Sequence, residues 1–276
     1  MGTPPAITPA GALVLHDAEF TQFQQMIRRS AGITMSPAKK ALVASRLARR
    51  VQHHGLASFG AYYRLLDARP DERQIAVDLL TTNETHFFRE MRHFDVLRDT
   101  VLPERRPGRA LRVWSAAASS GQEAYSLAMV LAEQLGDTPW EVFGSDISQR
   151  VLEQARSARY DIAQASEIAP HHLRACCLKG VGSQHGSFVI APDIARRVSF
   201  AQVNLNEPLP DVGDFDVIFL RNVMIYFDVP TKRAVVSRLV TRLRPRGWLF
   251  VGHSESLNGI ADGLRSRAPS AWQRCD

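Results

Sequence analysis

The stretch Leu111–Ser126, which reads LRVWSAAASSGQEAYS, predicts a strand, a tight turn and the start of a helix. Leu111 to Ser115 form a short apolar run, and the turn that follows, up to Gly121, carries almost no side-chain bulk. From Gln122 onward, apolar residues recur at helical spacing. A doubly wound sheet forms a nucleotide pocket in this way, because small residues let the backbone approach a ligand and the helix start presents free N–H groups.

Two carboxylates accompany this turn. Glu123 lies at the helix start, and Asp146 ends the next apolar run, where an acid can accept hydrogen bonds from the two hydroxyls of a ribose. The turn has neither GxGxxG nor GxxxxGK[ST], and an acid would repel a phosphate. The pattern therefore favours a cationic nucleoside such as S-adenosylmethionine (SAM), and the alternative is an ordinary strand–helix turn without a ligand.

The order of apolar segments divides the chain. Residues 16–90 are predicted to form an all-α domain after a mobile tail at 1–15, and residues 91–110 a linker. Strands and helices then alternate through 111–276, which predicts an α/β domain with a parallel sheet covered on both faces. An overlong segment with several glycines, roughly 176–197, predicts a small β insert.

Charge is distributed unevenly along the 276 residues, whose net charge is +6. Residues 1–110 hold 16 Lys and Arg against 11 Asp and Glu, whereas the remainder holds 18 against 17. A predicted helix from Pro37 to His54 carries Lys39, Arg46 and Arg50 on one side and Arg49 near it. This is either a solvated face or a docking face for an acidic helical partner or nucleic acid, although no aromatic residue alternates with the bases to stack on a single strand.

Several classes of protein are disfavoured by composition. Three cysteines do not make a disulfide framework, which fits a reducing cytoplasm. No apolar run is long enough to span a bilayer, and no signal peptide is evident. No metal-ligand cluster is predicted, since the pairs His53–His54 and His171–His172 are neighbours that should not share a helix face and are expected to be solvated.

Polar residues follow two further predicted strands. Asn204 ends one of them, and Arg221, Asn222 and Tyr226 follow the next. Ligands of open α/β sheets bind beyond the carboxyl ends of strands, so these side chains are expected beside Glu123 and the acid of the second strand. Turn chemistry alone could account for Asn204 and Asn222, and aromatic packing for Tyr226. These alternatives are less attractive for the whole group, because its members follow strands that end at one edge of the sheet.

These segments together resemble the CheR-type chemotaxis receptor methyltransferases, which esterify glutamate side chains of bacterial chemoreceptors with SAM. The matching segments are TTNETHFFRE (81–90), RVWSAAASSGQE (112–123), SDI (145–147), NL (204–205), RNVMIYF (221–227) and GHSES (252–256). They occur in order and span the chain from the helical domain to near its C-terminus. The resemblance implies a SAM-methyltransferase domain preceded by a helical domain that caps the cofactor pocket.

The resemblance also implies roles for individual residues. The implied catalytic residues are Arg89, which would hold the acceptor carboxylate, and Tyr226, which would orient either that carboxylate or the cofactor. The implied cofactor-binding residues are Asn83, Thr85, Arg89, Glu123, Asp146, Asn204, Leu205, Arg221 and Asn222. Lys39, Arg46, Arg49 and Arg50 would dock to the acidic helical domain of a receptor, and the β insert resembles a subdomain that in some members grips a receptor C-terminal peptide by strand addition. A monomer without nucleic-acid partner or membrane insertion is expected.

The sequence departs from the family pattern at one place. Gln122-Glu123-Ala124 stands where the family commonly has Glu-Glu-Pro, so one charge near the cofactor ammonium is missing. Two other functions stay open at this point. One is methyl transfer to another substrate such as nucleic acid, and the other is a non-catalytic SAM-binding scaffold.

Overall fold

The computed structural model describes residues 13–105 and 108–276. The predicted tail at 1–15 therefore lies almost wholly outside the described residues. The chain forms two compact units, one of residues 13–30 and 34–80 and the other of residues 31–33 and 81–276. Within the described residues, no helix combines the length and apolarity needed to cross a bilayer.

The first unit is helical. Its helices are α1 Asp17–Ala31, α2 Lys40–His53, α3 Phe59–Ala68 and α4 Pro70–Leu80, with a 3₁₀ turn Pro37–Lys39 before α2. Ser58 caps α3, its hydroxyl accepting from the Ala61 N–H at 3.1 Å. Apolar residues of the four helices form the core, in which the ring of Phe23 lies 6.5 Å from that of Phe59.

The second unit contains a mixed seven-stranded sheet. Its segments in chain order are α5 Arg92–Val96, a π-helical turn Leu97–Val101, β1 Leu111–Ser115, α6 Gln122–Leu135, β2 Trp140–Asp146, α7 Gln149–Ser157, β3 Arg159–Asp161, α8 Pro170–Cys176, β4 Cys177–Lys179, β5 Ser187–Ile190, α9 Pro192–Ala195, β6 Val198–Gln202, β7 Phe215–Leu220, α10 Val229–Thr241, β8 Leu243–Val251, β9 Leu264–Ala268 and β10 Ala271–Arg274. The strand order is β6-β2-β1-β7-β8-β10-β9. The five neighbouring strands β6, β2, β1, β7 and β8 are parallel to one another. β10 is antiparallel to both its neighbours, β8 and β9.

The predicted α/β, doubly wound architecture is confirmed. Alternate residues of β1 pack into different clusters, Val113 with α6 and Trp114 with α10, so both faces of the sheet are covered. From β1 the chain proceeds to β2 on one side and later returns to β7 on the other. Such a switch point leaves a crevice at the carboxyl ends of the central strands.

Two parts of the sheet structure differ from the sequence-based expectation. The C-terminal pair β9 and β10 makes the sheet mixed rather than wholly parallel. The insert is a three-stranded sheet of order β3-β5-β4, and its first strand already begins at Arg159. That strand has only three residues and is defined by pairing with β5 across the insert, so its local sequence carries no periodic signal.

Candidate functional site

An open cleft of about 640 Å³ lies in the second unit at the carboxyl ends of β1, β2 and β7. It is lined by Ala31, Ile33, Thr81, Thr82, Asn83, Glu84, Ala116, Ala117, Ser119, Asp146, Ile147, Asn204, Leu205, Asn222, Val223, Tyr226 and Phe227. Among these residues two are carboxylates and none is Lys or Arg.

The turn between β1 and α6 has the backbone that its small residues predict. Ser119 and Gly121 adopt left-handed conformations, with φ of 48° and 95°. A Cβ on Gly121 would come within 2.9 Å of Ala155 Cβ and of the Tyr160 hydroxyl, so no side chain fits there. The helix α6 begins directly after this turn, at Gln122.

Asp146 is the acidic residue that the structure places in the cleft wall. Its side chain is buried, with 8% of the residue exposed. One carboxylate oxygen accepts from the Ser119 N–H at 3.0 Å and the other from the Ser148 N–H at 2.9 Å. These bonds orient the carboxylate at the point where a ribose would meet the end of β2.

The segment that follows α4 forms another wall of the cleft. The Asn83 carbonyl accepts from the Ser119 hydroxyl at 2.8 Å, and the Asn83 amide donates to the Thr81 hydroxyl at 3.2 Å. The Arg89 guanidinium donates to the Glu84 carbonyl at 3.0 Å. A hydrogen bond therefore joins the Thr-Thr-Asn segment to the turn between β1 and α6.

Behind the cleft, the guanidinium of Arg221 joins two carboxylates. Arg221 is 5% exposed and donates to Glu123 at 2.8 Å, to Glu90 at 3.1 Å and to the Arg89 carbonyl. Ser115 donates to the other Glu123 oxygen at 2.7 Å. One guanidinium thus faces two half-buried acids.

The two acids respond differently to this environment. Burial alone would raise the pKa of Glu90, but the Asn222 hydrogen bond and the charge of Arg221 outweigh it and hold that pKa at about 2. Burial raises the pKa of Glu123, against the opposing charge of Arg221. Nearby, burial and the same arginine charge lower the pKa of His93 to about 3, so its imidazole is neutral.

Two further acids belong to this site and were missed in the sequence. Glu90 accepts from the Asn222 amide at 3.0 Å and from the His253 N–H at 3.1 Å. Glu255 accepts from the N–H groups of Gly252, Asn222 and Ile225 at 2.7, 2.9 and 3.1 Å. Both stand in matched segments, TTNETHFFRE and GHSES, but their partners are distant in sequence.

The structure brings most predicted cofactor residues together. Five of the nine, Asn83, Asp146, Asn204, Leu205 and Asn222, line the cleft, as does Tyr226, which was predicted to be catalytic. Thr85, Arg89, Glu123 and Arg221 are not part of its wall, and the last two pair with each other behind it. Gln122, where the family has an acid, bonds to Ser120 and Gln164 and also lies outside the wall. The contacts of all these residues with SAM stay predictions.

The basic side of the first unit differs from the expectation at Arg50. Lys39 and Arg49 are exposed, and Arg46 is half-buried and donates to the Leu80 carbonyl at 3.3 Å. Arg50 instead points inward and binds buried Glu72 through Nε at 2.8 Å and through Nη2 at 2.5 Å. Its guanidinium neutralises an acid of the helical core, so we exclude it from the docking face.

The expectation of two solvated histidine pairs is also wrong in part. His172 is buried, and its Nε2 lies 3.1 Å from a Glu133 oxygen, while His171 Nε2 lies 3.3 Å from the other oxygen. Both imidazoles reach one carboxylate because they stand in the first turn of α8, opposite α6.

Two protein-family models match this chain over most of its length. Residues 18–81 match the family model described as "CheR methyltransferase, all-alpha domain", and residues 83–270 match "CheR methyltransferase, SAM binding domain". The chemotaxis protein methyltransferase of Salmonella typhimurium is 43% identical over 265 residues, which cover 94% of this chain and 91% of that protein.

Two more relatives show the same extent of similarity. The chemotaxis protein methyltransferase of Escherichia coli is 43% identical, covering 94% of this chain and 92% of that protein. Chemotaxis protein methyltransferase 2 of Pseudomonas aeruginosa is 41% identical, covering 90% of each chain.

The doubly wound sheet and its acidic cleft define a SAM-dependent methyltransferase. The small left-handed turn, the oriented Asp146 carboxylate and a wall without cationic side chains fit a nucleoside that carries positive charge. The chain belongs to the CheR methyltransferase family, whose two domain models together match most of its length.

Proposed function

We propose that this protein transfers the methyl group of SAM to glutamate side chains of bacterial chemoreceptors and forms glutamyl methyl esters. The observation that carries the proposal is the charge of the cleft wall, in which Asp146 and Glu84 are the only charged residues among those described. Such a wall suits a sulfonium and an ammonium and disfavours a phosphate. Family membership and the names of the relatives support chemotaxis as the process.

SAM, when bound, supplies an electrophilic methyl group on a sulfonium. Asp146 would accept hydrogen bonds from the ribose hydroxyls, since its carboxylate is already oriented at the end of β2. Asn204 and Leu205 would flank the adenine, and Asn222 would contact the methionyl portion. Behind the wall, Glu123 and Glu90 share the guanidinium of Arg221.

The acceptor requires no general base. A glutamate side chain is ionised near neutral pH, because its pKa is about 4.3 in model peptides. The protein has to align it for in-line attack without binding it too tightly in the ground state. Arg89 would hold the carboxylate through its planar fork, and Tyr226, whose side chain lines the cleft, would orient it by one hydrogen bond.

Receptor recognition would use the basic side of α2 and the turn before it. Lys39 and Arg49 are exposed there, and Arg46 lies beside them half-buried. An acidic helical surface is the complementary partner, and such pairing contributes mainly to encounter and orientation. The β insert, with exposed Leu178 and Val181 at its edge, would accept a receptor C-terminal peptide as an added strand.

The proposal is tested by incubating the full chain with methyl-labelled SAM and receptor-containing membranes. We expect label in the receptor that mild base releases, because methyl esters are base-labile whereas methylated amines are not. Label in nucleic acid, or base-stable label in protein, would contradict the proposal. SAM binding with no transfer to any receptor would indicate a scaffold instead.

A further inference from the structure

We propose that Glu90 is a positioning residue for methyl transfer, which acts by holding the backbone of Arg89 in a strained turn. This inference rests on the proposed function, in which Arg89 holds the acceptor. Glu90 does not line the cleft, and its carboxylate faces the ends of β7 and β8 instead.

The turn around Arg89 is unusual in its backbone. Phe88 and Glu90 both have positive φ, 52° and 58°, although neither is a glycine. Left-handed conformations are unfavourable for residues with a Cβ, and they persist only where the surroundings enforce them. Arg89 thus lies between two residues that adopt left-handed backbone conformations.

Side chains from two other segments, together with Glu90 of the turn itself, hold this turn. The Phe88 N–H donates to the Ser126 hydroxyl on α6 at 2.9 Å. The Arg89 carbonyl accepts from Arg221, which follows β7. The Glu90 carboxylate accepts from the same Arg221 guanidinium at 3.1 Å, so Arg221 binds both the backbone of Arg89 and the side chain of Glu90.

The Glu90 carboxylate accepts hydrogen bonds from the Arg221 guanidinium, the Asn222 side-chain amide and the His253 N–H. All three partners are donors, so an ionised carboxylate satisfies them and an amide cannot. A Glu90→Gln change would turn an NH₂ group toward a donor and remove the charge that pairs with Arg221. The turn would relax, and the Arg89 fork would leave the position that it takes beside the Glu84 carbonyl.

The test is a double-mutant cycle on methyl transfer to receptor membranes, with wild type, Glu90→Gln, Arg89→Ala and the double variant. We expect Glu90→Gln to lower kcat about tenfold to a hundredfold, as small misplacements of catalytic groups do. Calorimetry should show a smaller change in the Kd for SAM. In the Arg89→Ala background the Glu90→Gln change should cost less than twofold, since the group that it positions is already absent.

Asp216→Asn is the matched control. Asp216 stands near the start of β7, and its carboxylate also binds two arginines and a backbone N–H, namely Arg109 at 2.6 Å, Arg244 at 2.5 Å and the Arg112 N–H at 2.9 Å. This variant should lower Tm without changing kcat. Equal losses from Glu90→Gln in both backgrounds, or an equal loss of kcat in Asp216→Asn, would overturn the positioning role. Absence of base-labile transfer by the wild type would instead overturn the proposed function.

Discussion

The Ser119 N–H donates to the Asp146 carboxylate at 3.0 Å and thereby joins the turn after β1 to the end of β2. The bond holds the acid in the cleft wall, and a second bond from the Ser148 N–H at 2.9 Å fixes its other oxygen. The Asp146 carboxylate therefore connects the turn after β1 with the start of the segment that follows β2.

Replacing Asp146 by Ala should weaken SAM binding. The change removes the charged acceptor to which the ribose hydroxyls would donate. Each such hydrogen bond contributes about 1.5–3 kcal/mol, so the Kd should rise at least about tenfold. Calorimetry with SAM measures the effect. Asp161→Ala is the control, because that exposed carboxylate also accepts from an N–H two residues later, at 2.8 Å, but lies on the small sheet. Equal SAM affinity in Asp146→Ala and wild type would exclude the ribose role.

Replacing Arg89 by Ala should reduce turnover more than SAM affinity. The guanidinium is expected to hold the acceptor carboxylate, so kcat should fall by about a hundredfold or more, whereas the Kd for SAM should change only a few-fold. Arg89→Lys should recover little, since the planar fork is lost. Arg92→Ala, at an exposed position three residues on, should behave like wild type. A loss confined to SAM binding would assign Arg89 to the cofactor alone.

Reversing charge on the proposed docking face should act on the receptor step. The double variant Lys39→Glu with Arg49→Glu should raise the KM for receptor severalfold and leave the Kd for SAM unchanged. The rise in KM should be larger at low salt, because salt screens exposed charges. Arg64→Glu is the control for Arg49→Glu alone, because each makes the same charge change at an exposed helical position, the first on α3 and the second on α2. If both variants raise KM equally, the effect is one of net charge and the docking face is elsewhere.

Much of the site could be predicted because it depends on local sequence. The strand, small turn and helix start at 111–126 are encoded within sixteen residues, and the acid at the end of β2 follows from the next apolar run. What could not be predicted depends on distant partners. Arg221 and Glu90 lie 131 residues apart, and nothing near either residue indicates that the arginine is neutralised.

The two C-terminal strands were missed for a related reason. Leu264–Ala268 reads LRSRA and carries exposed arginines with no apolar alternation, so only its pairing with β10 makes it a strand. β10 in turn is defined by antiparallel pairing with β8, which local propensity does not encode. The inward turn of Arg50 likewise follows from buried Glu72 on another helix.

Acid should destabilise the helical unit through Glu72. Burial would raise the pKa of this carboxyl, but hydrogen bonds from Arg50, Tyr62 and His54 lower it from 4.5 to about 2. A group whose pKa is lowered by folding stabilises the folded state above its unfolded pKa. That contribution, up to about 3 kcal/mol, should therefore be lost as the pH falls from about 5 to about 2.

Chemical denaturation across this pH range measures the effect. Glu72→Gln should be less stable than wild type at pH 7, and the difference should shrink as the pH falls through this range. Asp67→Asn is the control, because it breaks an exposed ion pair with Arg73 and should cost less than about 1 kcal/mol. A wild-type unfolding free energy that stays constant between pH 5 and pH 2 would contradict the buried ion pair.

The central claim is tested most directly by locating the methyl group on the receptor. A receptor fragment is incubated with the protein and labelled SAM, and its peptides are mapped by mass spectrometry before and after mild base. The account predicts a methyl group on glutamate side chains that base removes and that is absent when those glutamates are replaced by alanine. A methyl group on lysine, arginine or a nucleic acid, or one that base leaves in place, would contradict it.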